Sequence, residues 1–129
     1  MTEREKMIRG LLYDAFDPEL VADRKRAHRL AKELDHLEED EALRIERFRN
    51  LLGETGRNFW IESPFRCDYG YNIRIGEDFY ANFGCVILDI CPVTIGDRVL
   101  LGPGVQIYAV SHPLDAVGRA TGAEYGKPI

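Results

Sequence analysis

Ile73-Arg74-Ile75-Gly76-Glu77-Asp78-Phe79-Tyr80-Ala81-Asn82-Phe83-Gly84-Cys85-Val86-Ile87-Leu88-Asp89 carries two interleaved apolar series. Ile73, Phe79 and Cys85 recur every six residues, and so do Ile75, Ala81 and Ile87. After Asp89 the register slips by two. It then resumes as Val93, Val99 and Val105, with Ile95, Leu101 and Ile107 alongside. Ile75-Gly76, Ile95-Gly96 and Leu101-Gly102 repeat one aliphatic-glycine pair. A period of two would describe an ordinary sheet. A period of six, with a small residue after the aliphatic one, predicts a short strand followed by a sharp corner. Three such strands close one triangular coil, and stacked coils bury a continuous aliphatic column. Hexapeptide repeats of this kind are a signature of the parallel β-helix. Glycine suits the corners because it adopts positive φ without steric cost. A plain antiparallel sheet with accidental spacing is the alternative, and two in-register series running through both blocks argue against it.

Towards the N-terminus the composition changes near residue 56. Residues 1–55 are rich in Glu, Arg, Lys, Leu and Ala and read as helical, whereas residues 57–108 are rich in Ile, Val, Gly, Tyr and Phe and read as β. Thr2 with Glu5 forms a capping box, predicting a first helix over about Glu3 to Leu12. Asp17-Pro18 predicts an N-cap with proline at the first helical position. Leu20, Ala27, Ala31 and Leu34 then recur at helical spacing, ending a second helix near Asp35. A third runs from about Asp40 to Leu52 with Ile45, Phe48 and Leu52 on one face, and Gly53 and Gly56 break it. The charged opposite faces are read as solvated surface.

Towards the C-terminus the repeat stops at Tyr108. Residues 109–127 have no period and contain His112-Pro113, Gly118, Gly122 and Gly126. They read as a long loop thrown out from the helix, a place where function concentrates. The chain is therefore divided into a helical region, 1–55, and a β-helix, 57–129, with a protruding loop at about 109–127. Few coils fit before Lys127-Pro128-Ile129, so further coils and a cap are expected beyond this sequence.

Composition narrows the function. Hydrophobic residues make up 45% and charged residues 30%, which suits a folded globular domain. A net charge of −5 disfavours nucleic acid as a partner. No apolar run approaches the roughly 20 residues that span a bilayer, and Met1-Thr2-Glu3-Arg4-Glu5-Lys6 opens no signal peptide, so a cytoplasmic location without membrane partners is expected. Cys67, Cys85 and Cys91 form no Cys-x-x-Cys pair and read as small buried thiols, not as a metal site. Among the three histidines, His28 and His36 lie on a charged helix and read as surface. His112 sits in the loop, with its backbone restricted by Pro113. Imidazole is the natural general base near neutral pH. Glu124 lies twelve residues on and is placed to orient that imidazole if the loop folds back. No Gly-x-Ser-x-Gly elbow and no Cys beside a His is present, so a covalent acyl-enzyme is not suggested.

These segments together resemble the maltose and galactoside O-acetyltransferases, most closely the maltose branch, with the nodulation acetyltransferases as relatives. The resemblance rests on Phe65 to Ile73, Tyr80-Ala81-Asn82-Phe83, Ile87-Leu88-Asp89 and Val93-Thr94-Ile95-Gly96-Asp97. It continues through Gly104 to Tyr108, Ser111-His112-Pro113-Leu114-Asp115 and Gly126-Lys127-Pro128-Ile129. Glu5-Lys6-Met7, Gly10 and Tyr13 match as well. It implies a mainly β protein: a left-handed parallel β-helix preceded by a small helical region. It also implies a homotrimer with active sites between subunits. His112 matches the catalytic histidine, and Glu124 falls close to it. Asn82 and Tyr80 match residues lining the acceptor pocket, Asn82 also supporting catalysis, and Asp68 matches an acceptor-binding polar residue. Asp14 and Arg24 lie in the region that covers the sugar. The implied substrates are acetyl-coenzyme A, as acetyl donor, and a sugar acceptor. The implied reaction is direct transfer, with no metal and with most of the coenzyme site in later coils. Three other readings compete: a shortened, inactive scaffold module; an acetyltransferase for another glycan, such as an amino-sugar or nodulation oligosaccharide; and a β-helix carbonic anhydrase. The last would need more histidines in the β region than His112.

Overall fold

The structure, a computed structural model, describes all residues, 1–129. Three helices open the chain: α1 (Glu3–Ile8), α2 (Pro18–Leu34) and α3 (Glu41–Leu51). Thr2 and Glu5 cap α1 reciprocally, as their spacing predicts. The helix stops at Ile8, short of the expected Leu12, because Gly10 turns with φ +78° and passes against Gly126. Asp17 caps α2, and Leu20, Ala27, Ala31 and Leu34 face inward. Asp40 caps α3.

The inward face of α3 carries Phe48 and Leu52 as expected, with Ile45 packed partly against the core, but it also takes in a charged residue. Arg44, Phe48 and Leu51 are buried, and Ile45 is only partly covered. Arg44 donates to the carbonyls of Leu34 (2.8 Å) and Ile61 (2.5 Å) and to Ser63 Oγ (3.2 Å). Its guanidinium also lies over Phe48 and Trp60. A buried cation is tolerated where its donors meet fixed acceptors and aromatic faces. Arg44 is thus a junction between two helices and the first strand, not part of a solvated charged face.

Eight short strands follow: β1 (Phe59–Ile61), β2 (Arg66–Cys67), β3 (Ile73–Ile75), β4 (Phe79–Ala81), β5 (Val86–Leu88), β6 (Val93–Ile95), β7 (Leu100–Leu101) and β8 (Gln106–Tyr108). They pair only in parallel, as three sheets ordered β1-β4-β7, β2-β5-β8 and β3-β6. Each register joins residues twenty apart, such as Phe59 with Phe79 and Val86 with Gln106. One coil therefore takes twenty residues and contributes one strand to each sheet. This is the parallel β-helix that the period of six predicts. Phe59 stacks on Phe79, Ile61 on Ala81, Cys67 on Ile87 and Ile73 on Val93, all buried. The same core takes in Ala27, Ala31, Leu34, Phe48 and Leu51, so α2 and α3 pack on the first coil and share its apolar interior. The three cysteines are buried and unpaired.

Two of the three corners are tight: Ile75 leads to Phe79 and Ala81 to Cys85 within four residues. The third is wide, because Cys67 to Ile73 and Ile87 to Val93 each take six. The register slip after Asp89 is this corner. The glycine rationale needs correction here. Gly76, Gly96 and Gly102 do not carry positive φ; Gly84 and Gly104 do, as do Asp78 and Arg98. Gly76 is required for close approach instead: a Cβ there would lie 2.8 Å from the Gly96 carbonyl of the coil below.

In the third coil the wide corner opens into an arm. β9 (Val110–Ser111) pairs antiparallel with β10 (Tyr125–Gly126), and α4 (Ala116–Ala120), capped by Asp115, forms the tip. The loop expected over 109–127 is thus an ordered hairpin. The chain then rejoins the coil: Ile129 N–H donates to the Pro92 carbonyl, and Thr94 N–H donates to the Ile129 carbonyl. No helix is long and apolar enough to cross a membrane.

Candidate active site at the wide corner

The wide corner concentrates polar side chains because its extra residues cannot all point into the column. Asp89, fully buried, turns back onto the coil above it. Its carboxylate accepts from the backbone N–H groups of Asp68 (3.1 Å), Tyr69 (2.9 Å) and Asn72 (3.2 Å). Asn72 returns a bond from Nδ2 to the Asp89 carbonyl. Burial raises the Asp89 carboxyl, the Tyr69 and Asn72 N–H groups oppose this and Asp68 adds to it; the balance stands at about 7.

Above this staple Tyr69 and Tyr71 stack, 5.3 Å between centroids, under α1 and α2. Arg24 donates to the Tyr69 hydroxyl and the Ala15 carbonyl, both at 2.7 Å. Asp68 is half-buried. Burial and then the nearby Glu124 charge push its carboxyl up to about 6, against the pull of Arg24. The arm delivers Glu124, whose Oε2 accepts from the Tyr13 hydroxyl at 2.6 Å. Tyr13 and Glu124 also exchange backbone bonds, Tyr13 N–H to Glu124 O at 3.1 Å and the reverse at 3.4 Å.

His112 is exposed and directly follows β9. Ser111 pairs with Tyr125 and Val110 with Gly126, so His112 and Glu124 are the next opposed positions of the hairpin. Directly opposed antiparallel residues carry Cβ atoms about 5 Å apart on one side of the ribbon. Continued one position beyond the Ser111–Tyr125 pair, that register sets Glu124 across the arm from His112, and one oxygen of Glu124 is engaged by Tyr13.

The structure brings Glu124, Asp68 and Arg24 together at this corner, and His112 stands on the arm one position beyond β9. Asp14 lies next to the corner, exposed, in a groove of about 390 Å³ that Tyr13, Thr121 and Ala123 also line. Tyr80 and Asn82 are elsewhere. Tyr80 is on β4, and Asn82 is at the following tight corner, where its Oδ1 accepts from Phe83 N–H. Within one chain they lie on another sheet and corner from His112. Tyr13 and Asp89 are residues of this corner that the sequence does not mark as site residues. Asp89 marked the slip in the repeat, which is a signal that something occupies that corner. Tyr13 meets Glu124 across 111 residues, and no local pattern announces such a contact.

Comparison with known proteins settles the family. Residues 6–56 match the maltose acetyltransferase hexapeptide capping motif, which spans the helices that cover this corner. Nodulation protein L of Rhizobium meliloti is 46% identical over 99% of this chain and 70% of its own. The chain belongs to the maltose and galactoside O-acetyltransferase family of hexapeptide-repeat proteins. A crystal structure of a maltose O-acetyltransferase from Clostridium difficile superposes with a TM-score of 0.97. It is 46% identical and covers 99% of this chain and 69% of its own. A hexapeptide-repeat acetyltransferase from Vibrio cholerae, solved in complex with acetyl-coenzyme A, gives 0.89 at 41% identity over the same shares. The chain thus spans about 70% of the length of these family members.

Proposed function

We propose that the chain transfers an acetyl group from acetyl-coenzyme A directly to a sugar hydroxyl, of the maltose or glucose type, with His112 as general base. The observation that carries this reading is the arm, which holds an exposed imidazole opposite a carboxylate that is itself anchored, beside Asp68 and Arg24. That the Vibrio relative was solved with acetyl-coenzyme A supports the choice of donor. The coil is taken as left-handed, as in hexapeptide-repeat proteins.

His112 removes the proton of the acceptor hydroxyl as its oxygen attacks the thioester carbonyl. The tetrahedral intermediate collapses, its C–S bond breaks, and the imidazolium returns the proton to the leaving thiolate. A positioned base of this kind is worth roughly 10²- to 10⁴-fold in rate. Glu124 fixes the tautomer and stabilises the imidazolium. Asp68, Arg24 and Asp14 hold the sugar and supply proximity. Tyr80 and Asn82 join the site from a neighbouring copy, in a homotrimer whose sites lie between subunits. The cytoplasm is the compartment where acetyl-coenzyme A would be met.

A second acceptor class, nodulation-type oligosaccharides, is favoured by the 46% identity to nodulation protein L. A thiol-release assay with acetyl-coenzyme A and a panel of sugars tests both. Turnover with maltose or glucose, reduced at least a hundredfold in His112→Ala, is the expected result. Turnover only with amino-sugar oligomers would shift the acceptor, and an unimpaired His112→Ala would refute the base.

A further inference from the structure

The N-terminal segment touches the arm at successive points that run antiparallel to it. Gly10 passes so close to Gly126 that a Cβ would lie 2.8 Å from the Gly126 carbonyl oxygen. Tyr13 forms its two backbone bonds and its hydroxyl bond with Glu124. A Cβ on Gly122 would lie 3.1 Å from the Phe16 ring. Residues 10, 13 and 16 thus follow 126, 124 and 122 like a third strand laid beside the hairpin. Tyr13 is the centre of this strip. Its ring is 3% exposed and packs with Met7, Ala15, Leu20, Tyr69 and Ile90, so it cannot swing away from the arm. Only its hydroxyl reaches the polar side.

We propose that Tyr13 is a positioning residue: backbone and hydroxyl together clasp the arm and hold the Glu124 carboxylate opposite His112. The inference rests on the reading of His112 as general base. Burial and the Glu124 carboxylate push the phenol well above its ordinary value, so the O–H stays a donor throughout the working pH range. A short bond to an ionised acceptor is among the stronger hydrogen bonds. It occupies one oxygen of Glu124 and leaves the other for the imidazole. The helical region would then act in catalysis as well as in covering the coil, because it fixes a carboxylate 111 residues away.

The test compares wild type with Tyr13→Phe, Glu124→Gln, the double variant and His112→Ala. Phenylalanine keeps the buried ring and removes only the donor. The expected result is a roughly ten- to hundredfold fall in kcat for Tyr13→Phe, with acceptor KM within about twofold, the size of effect that loss of a charge-assisted bond allows. The double variant should be no slower than Glu124→Gln alone, since the hydroxyl acts through that carboxylate. Losses that multiply, or wild-type kcat in Tyr13→Phe, would overturn the proposal. A readout independent of turnover is the His112 ring resonances by NMR. They should move in both single variants while those of His28 and His36 stay. Unmoved His112 resonances in Tyr13→Phe would overturn the clasp. An active His112→Ala would refute the base reading instead, and the resonances would still decide the clasp.

Discussion

Asp68 and Asp89 sit at the same corner in adjoining coils, and their surroundings treat them differently. Asp89 is held by three backbone donors, so Asp89→Ala should leave buried N–H groups unpaired and cost about 3 kcal/mol or more in urea unfolding. Burial and then the Glu124 charge raise the Asp68 carboxyl to about 6 from the ordinary 3.8, against the pull of Arg24. A raised carboxyl stays protonated in the folded chain at pH values where the unfolded chain has already released the proton. Its contribution is therefore full below about pH 4 and lost as pH rises through 6. That shift corresponds to at most about 3 kcal/mol. Measured by urea unfolding at pH 4, 5, 6 and 7, the stability of wild type relative to Asp68→Asn should fall across this range and level off above it. A difference that stays constant with pH would mean that Asp68 is not perturbed by its neighbours.

Among the elements, the strands were legible because a period of six with two apolar series leaves few alternatives to a coil. The register is the direct expression of that period: three repeats plus the two-residue slip make the twenty-residue coil. The helix starts were legible too, because caps such as Thr2, Asp17 and Asp40 act over a few residues. The end of α1 and the burial of Arg44 on α3 were not, since both depend on contacts distant in sequence. Gly10 turns where Gly126 passes, and Arg44 is buried because carbonyls of Leu34 and Ile61 await it. Arg44→Ala should strand those carbonyls and open a void, lowering stability by about 3 kcal/mol or more. The glycine stack gives a sharper contrast. Gly76→Ala presses a Cβ on backbone and should cost about 2 kcal/mol or more. Gly96→Ala meets nothing within 4 Å and should stay within about 1 kcal/mol of the parent. Thermal unfolding of the two variants side by side would reverse the close-approach account if Gly96→Ala were the more damaged.

Across the whole molecule, the candidate residues divide between two corners of the coil. His112 and Asp68 could be read from the family pattern, and the structure adds what the pattern lacks: a hairpin whose register, continued one position past Ser111–Tyr125, sets Glu124 opposite His112, and the anchoring of Glu124 by Tyr13. Neither is visible locally, because a hairpin arm with a helical tip and an N-terminal strip meet only after the coil has wound between them. Tyr80 and Asn82, at the other corner, join His112 only if a second chain brings them there. The account therefore requires a site shared between copies. The most direct test mixes unfolded His112→Ala and Asn82→Ala chains in equal amounts, refolds them together and measures thiol release from acetyl-coenzyme A with the best sugar acceptor. Each variant alone should be nearly inactive. Random assortment into closed threefold rings should restore about a quarter of wild-type activity, since mixed rings contain one interface with both residues intact. A mixture as inactive as its components would contradict a shared site and place both residues in separate roles within one chain.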